Sequence, residues 1–144
     1  MDNFKDILSE LIAQKGISVQ KLSEITGINR RQIYFYLNGT LPTVQNAIKI
    51  CSAVDCSLDY ITGLSDIQNF NFYKNINGDL SLFLPRYLSL LKDNFTTPYL
   101  FSREHKFSTS IFEEWKKGAT PSLKILKLIA FELGSSIDYL VGRI

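Results

Sequence analysis

Two adjacent arginines and two adjacent aromatics share one short stretch, "NRRQIYFYLN", at residues 29–38. On a helical period, Ile33, Tyr36 and Leu37 fall on one face and Arg30, Arg31, Tyr34, Phe35 and Asn38 on the other. That second face has no core to meet. The chemistry on offer there is recognition, because an arginine fork binds paired acceptors such as phosphate oxygens. Reaction chemistry is poorly supplied. His105 is the single histidine, and there is no nucleophile with a nearby base, no phosphate-cradling glycine loop and no metal-ligand cluster. We therefore expect no enzyme, no cofactor, no metal and no small-molecule ligand. Cys51, within an apolar helical stretch, reads as a small core residue. A zinc site needs more than Cys51, Cys56 and a remote histidine, and a disulfide is disfavoured in a reducing compartment.

Composition sets the frame for that face. The chain has 144 residues, 45% hydrophobic and 21% charged, which suits one average globular domain or two small ones. Net charge is only +2, so any nucleic-acid binding must come from a local patch. No apolar run approaches the ~18 residues that span a bilayer. The start, "MDNFKDIL", begins acidic, unlike a secretion signal. The expectation is a cytoplasmic chain without a membrane partner.

The elements that must hold the face are helical. Phe4, Ile7, Leu8, Leu11 and Ile12 form one stripe, which Gly16 closes. Ser18 stands in N-cap position for a second helix that runs through Leu22 and Ile25 to Gly27. Asn29 caps the third, which ends at Asn38-Gly39, and Pro42-Thr43 starts a fourth with Val44, Ala47, Ile48 and Cys51 inward. Ser57 caps a fifth, "SLDYITG". No stretch sustains a period of two, so the expected fold class is all-α.

The pattern then recurs without a gap at an offset of 79 residues, with Phe83 on Phe4. "SLDYITG" meets "SIDYLVG", and Gly39–Pro42 meets Gly118–Pro121. Core slots correspond too: Leu11 with Leu90, Leu22 with Phe101, Ile33 with Phe112, Tyr36 with Trp115, Ile50 with Ile129. We read two tandem five-helix units, at 1–66 and 81–144, by the internal-repeat criterion. The connecting segment, 67–80, carries Phe70, Phe72 and Tyr73, expected to pack between the units. Asn77-Gly78 is turn-forming and compatible with a small hairpin.

Helix, tight glycine turn, helix is the helix-turn-helix order. The stretch "SVQKLSEITGINRRQIYFYLNG", then "LPT", an amphipathic helix and "SLDYITGLSD", resembles the phage repressor and Cro-type (XRE-type, lambda-repressor-like) family over residues 4–66. The resemblance implies that the third helix enters the major groove of double-stranded DNA and meets base edges with its N-terminal residues. It makes Asn29 the cap, Arg30 and Arg31 the leading readers, Phe35 a further groove-facing residue, and Ser18 the start of the helix crossing the backbone. Arginine suits the task because its fork fits guanine O6 and N7 as well as phosphate. Tyr34 and Phe35 are apolar where the family often carries polar side chains, and could press on thymine methyls. Asn38 and Thr43 are the expected phosphate contacts.

The second unit departs from the reader pattern. Thr109 and Ser110 replace the arginines, and Glu113 and Glu114 replace Tyr34 and Phe35. Those carboxylates oppose a phosphate-lined groove, and Glu113 with Lys117 makes a favourable i, i+4 pair. Lys116, Lys124 and Lys127 are the candidate phosphate contacts in this unit. Its expected role is packing, dimerisation or partner binding. The overall expectation is a DNA-binding transcriptional regulator, a repressor, in which two chains supply two readers as a homodimer. In that arrangement the second unit and Phe70–Tyr73 form much of the shared surface. The reading from another class is a helical protein-interaction module, such as a phage- or toxin-related regulator that grips another protein.

Overall fold

A computed structural model describes residues 3–69 and 73–144. Among the described residues the chain is all-α, with ten α-helices, one 3-10 turn and no strand. The first five are α1 (Phe4–Lys15), α2 (Val19–Thr26), α3 (Arg30–Leu37), α4 (Val44–Val54) and α5 (Leu58–Ile61). A 3-10 turn at Leu80–Leu82 leads into α6 (Phe83–Asp93), α7 (Pro98–Glu104), α8 (Ile111–Lys116), α9 (Leu123–Glu132) and α10 (Ile137–Leu140).

Local chemistry explains the boundaries. Ser18, Asn29, Thr43 and Ser57 each sit in extended conformation and accept the amide three residues on, so each satisfies an orphan donor of the helix it starts. Thr97, Ser122 and Ser136 do the same for α7, α9 and α10. Ser110 makes no such bond, and α8 begins only at Ile111, two residues after the point that matches the start of α3.

The buried apolar side chains of both halves belong to one continuous core. Leu8, Leu22, Ile33, Ile50 and Leu58 are fully buried in the first. The second is more aromatic, with Trp115 set edge-on against Phe83, Tyr87 and Phe107 at centroid distances of 5.3, 5.5 and 6.2 Å. Of the core pairs expected from the sequence, Leu22 and Phe101, Tyr36 and Trp115, and Ile50 and Ile129 are all buried. Two pairs differ. Leu91 rather than Leu90 takes the buried place on α6, and Phe112 is only half-buried where Ile33 is fully buried. Larger rings in the second half shift which neighbour turns inward.

The segment between the halves is stitched to the end of the chain. The amides of Lys74 and Asn75 donate to the Arg143 carbonyl at 2.9 and 3.2 Å, and the Asp79 amide donates to the Val141 carbonyl at 2.7 Å. Only glycine fits at two places here: a Cβ on Gly78 would stand 2.8 Å from the Val141 carbonyl, and one on Gly142 2.7 Å from Asp79 backbone. Asn75–Gly78 forms a hydrogen-bonded turn with no strand beside it, so the hairpin is absent among the described residues. Tyr73 lies half-buried with the Arg143 guanidinium over its ring at 4.5 Å. Phe70 and Phe72 lie outside the described residues.

The halves meet at α5 and α10. The amides of Leu58 and Asp59 donate to the two carboxylate oxygens of Asp138 at 3.0 and 3.1 Å, and the Ile137 amide donates to Asp59 at 2.7 Å. Each short helix thus receives its capping carboxylate from the other half. Arg143, fully buried, pairs with Asp138 at 2.7 Å. Burial and the nearby Asp138 carboxylate push the Asp59 carboxyl up to about 6.

Candidate nucleic-acid interface

The turn between α2 and α3 is held by short side chains. Gly27 is left-handed at φ 74°, the Thr26 hydroxyl donates to the Leu22 carbonyl at 2.7 Å, and the Ser23 hydroxyl donates to the Ile28 carbonyl at 2.6 Å. With Ile28, Ile33 and Tyr36 buried, the rotation of α3 about its own axis is fixed. Asn46 adds a lock from α4 by donating to the Tyr36 hydroxyl at 2.8 Å.

That rotation leaves Arg30, Arg31, Tyr34, Phe35 and Asn38 outward, as the helical period required. Tyr34 and Phe35 are 52% and 42% exposed, large values for such rings. The Arg31 guanidinium lies 5.5 Å from the Phe35 ring centroid, so cation and ring form one surface. Neither Arg30 nor Arg31 forms an ion pair among the described residues.

The polar members of the set are partly committed. Ser18 and Thr43 accept from the Lys21 and Asn46 amides, which leaves each hydroxyl hydrogen to donate. Asn38 spends one amide hydrogen on the Tyr34 carbonyl at 2.9 Å. Asn29 and Thr43 come together at a shallow hollow of about 410 Å³, also lined by Gln32, Asn46 and Lys49. Sequence reading missed those last three. The signal for Lys49 was present, as a cation on the polar side of an otherwise apolar α4.

The other half carries a different surface. Glu113 and Glu114 are exposed on α8. Glu113 pairs with Lys116 at 2.8 Å, not with Lys117 as the i, i+4 spacing suggested, because the i+3 position lies nearer. Lys116 also stands over the Phe112 ring at 5.1 Å. Lys127 is no free phosphate contact: its ammonium donates to the Thr62 carbonyl at 2.7 Å, across the junction of the halves. Thr109 and Ser110 lie in the turn before α8. Phe95, Tyr99 and Leu100 are exposed nearby, Phe95 almost wholly.

Among the described residues, no group of three or more His, Cys, Asp or Glu could hold a metal, and no helix is long and apolar enough to cross a membrane. Cys51 and Cys56 are both buried and free, and burial raises the Cys51 thiol well above its ordinary range.

A helix-turn-helix family model matches residues 8–61, which run from within α1 to the end of α5. No curated protein and no solved structure matches the chain. The matched residues take in α2, α3 and the turn between them.

Proposed function

We propose that residues 1–66 are the DNA-reading unit of a sequence-specific transcriptional regulator, which represses by occupying its site. Residues 81–144 are a divergent counterpart, joined to it through 67–80. Arg30 and Arg31 read base edges from the N-terminal end of α3, and Tyr34 and Phe35 press on thymine methyls. Ser18, Asn29, Asn38 and Thr43 hold the phosphate backbone. Lys49, beside Asn29 and Thr43 in the same hollow, joins that set. The observation that carries the reading is one exposed helix face combining two guanidiniums with two large rings. A duplicated origin for the second half is supported by helix starts: α6, α7, α9 and α10 each begin 79 residues after α1, α2, α4 and α5.

Site selection from random duplex DNA tests the assignment. Wild-type chain should enrich one sequence, and Arg30→Ala with Arg31→Ala should lose that preference while its helical circular dichroism stays unchanged. Selectivity retained in the double variant sinks the reading of α3. The protein-interaction reading is favoured at one place, the exposed Phe95, Tyr99 and Leu100 on the second half. Salt separates the two, since DNA affinity falls steeply with ionic strength and an apolar protein interface does not.

A further inference from the structure

We infer that one chain is itself the paired unit, its second half standing where a partner protomer would stand, so that a single chain spans two half-sites and reads only one. This rests on the reading of α3 proposed above. The observation that starts it is the exchange of caps between α5 and α10. Leu58 donates to Asp138 and Ile137 donates to Asp59, and both positions of the second bond are those of the first moved by the same 79-residue offset. An exchange of this kind is what a two-fold axis produces at an isologous interface.

A second contact obeys the same rule. A cleft of about 320 Å³ between the halves is lined by the five residues from Leu41 to Gln45 and the five from Thr120 to Lys124, which correspond one to one at that offset. Gln45 reaches Thr120 across it at 3.4 Å. The axis implied by the exchanged caps therefore also passes through this cleft. In each half the cleft-lining segment begins four residues after the end of the helix in the reading position, α3 or α8.

The surface that makes this pair is used up within the chain. Leu58, Asp59, Ile137 and Asp138 are all buried, and Lys127 closes on the Thr62 carbonyl beside them. A second chain has no access to α5 while the second half covers it. Tethering further favours the internal partner, because the connecting segment turns association into an intramolecular step. This replaces the homodimer expected from the sequence, in which the second half was to bind another chain.

The pair is unequal. α3 opens with the exposed Arg30 and Arg31, whereas α8 offers Glu113 and Glu114 and no arginine. Two-fold readers place their helices about 34–36 Å apart along the duplex. The bound site should therefore be two half-sites long, with sequence determined in one half and tolerated in the other. The carboxylates of α8 weaken the hold on that second half-site.

Sedimentation of the free chain and of its complex with the selected duplex tests this, together with nuclease footprinting and the Glu113→Gln, Glu114→Gln variant. We expect a monomer at micromolar concentration, one chain per duplex, and protection extending over a second half-site beyond the selected sequence. Removing the two carboxylates should tighten binding several-fold at low salt without changing the preferred sequence. Two chains per duplex on an inverted repeat overturns the inference and leaves the reading of α3 standing. So does a one-chain footprint confined to one half-site with the double variant neutral. Failure to select any duplex instead refutes the DNA reading itself.

Discussion

Asp138 joins three dependencies in one carboxylate, so removing it should do more than remove one bond. Its two oxygens take the Leu58 and Asp59 amides from the other half, and one of them also takes the Arg143 guanidinium, with both charged side chains fully buried. In Asp138→Ala the guanidinium is left buried without its counter-charge, a change that costs about 3–5 kcal/mol. The two amides lose their acceptor as well, at roughly 1–3 kcal/mol each where water cannot reach them. These contributions overlap, since a cavity large enough for water relieves both, so we expect about 5 kcal/mol in all. That is a large share of the roughly 5–15 kcal/mol that holds a typical domain. Urea unfolding followed by circular dichroism and by Trp115 fluorescence is the assay. Both probes should report one transition in the wild type, and in Asp138→Ala the midpoint should fall sharply. Adding Arg143→Met should recover about 2 kcal/mol by removing the stranded charge, a coupling that a double-mutant cycle measures. A loss below about 1 kcal/mol in the single variant, or no recovery in the double, refutes this account of the junction.

Asp59 gives a pH signature of opposite sense to an ordinary ion-paired carboxylate. Its carboxyl is raised from 3.8 to about 6, so between those values the native state keeps a proton that the unfolded chain has lost. Stability from this group therefore falls as pH rises from about 4 to 6, by on the order of 3 kcal/mol. Asp59→Asn should flatten that slope, and a larger stability loss in the variant at pH 7 than at pH 4.5 contradicts it. Trp115→Ala should cost the second half about 3–5 kcal/mol, and native Trp115 emission should be that of a buried indole; a water-exposed spectrum rejects the aromatic core described here. Lys49→Ala should weaken all duplexes about equally and reduce the slope of log affinity against log salt by about one. A changed sequence preference in that variant would move Lys49 from the backbone to the bases.

The parts of the fold legible in the sequence were those governed by local rules. Caps at Ser18, Asn29, Thr43 and Ser57 stood where the helices start, because a hydroxyl or amide oxygen three residues before an unpaired amide is a local relationship. The exposed face of α3 followed from period alone. What escaped depended on contacts between distant segments. Lys127 reads as a surface cation until Thr62 is brought beside it, and Arg143 gives no sign in sequence that it will be fully buried. The aspartates within "SLDY" and "SIDY" carry no local sign of a role in another helix. Their use by the opposite helix required the two halves to be placed face to face. The hollow that gathers Gln32, Asn46 and Lys49 with Asn29 and Thr43 likewise exists only once α3 and α4 pack.

The exchanged caps have a consequence for how this surface can vary. Between two identical chains, any substitution at such a junction is made on both sides at once, so a buried cation placed beside one aspartate necessarily appears beside the other. Here both sides lie on one chain, and Arg143 stands beside Asp138 while Leu64 occupies the position matching it next to Asp59. One carboxylate has a buried counter-charge, and its twin, without one, keeps its proton up to about pH 6. The same freedom extends to α3 and α8, which can change independently because no symmetry obliges them to carry the same residues.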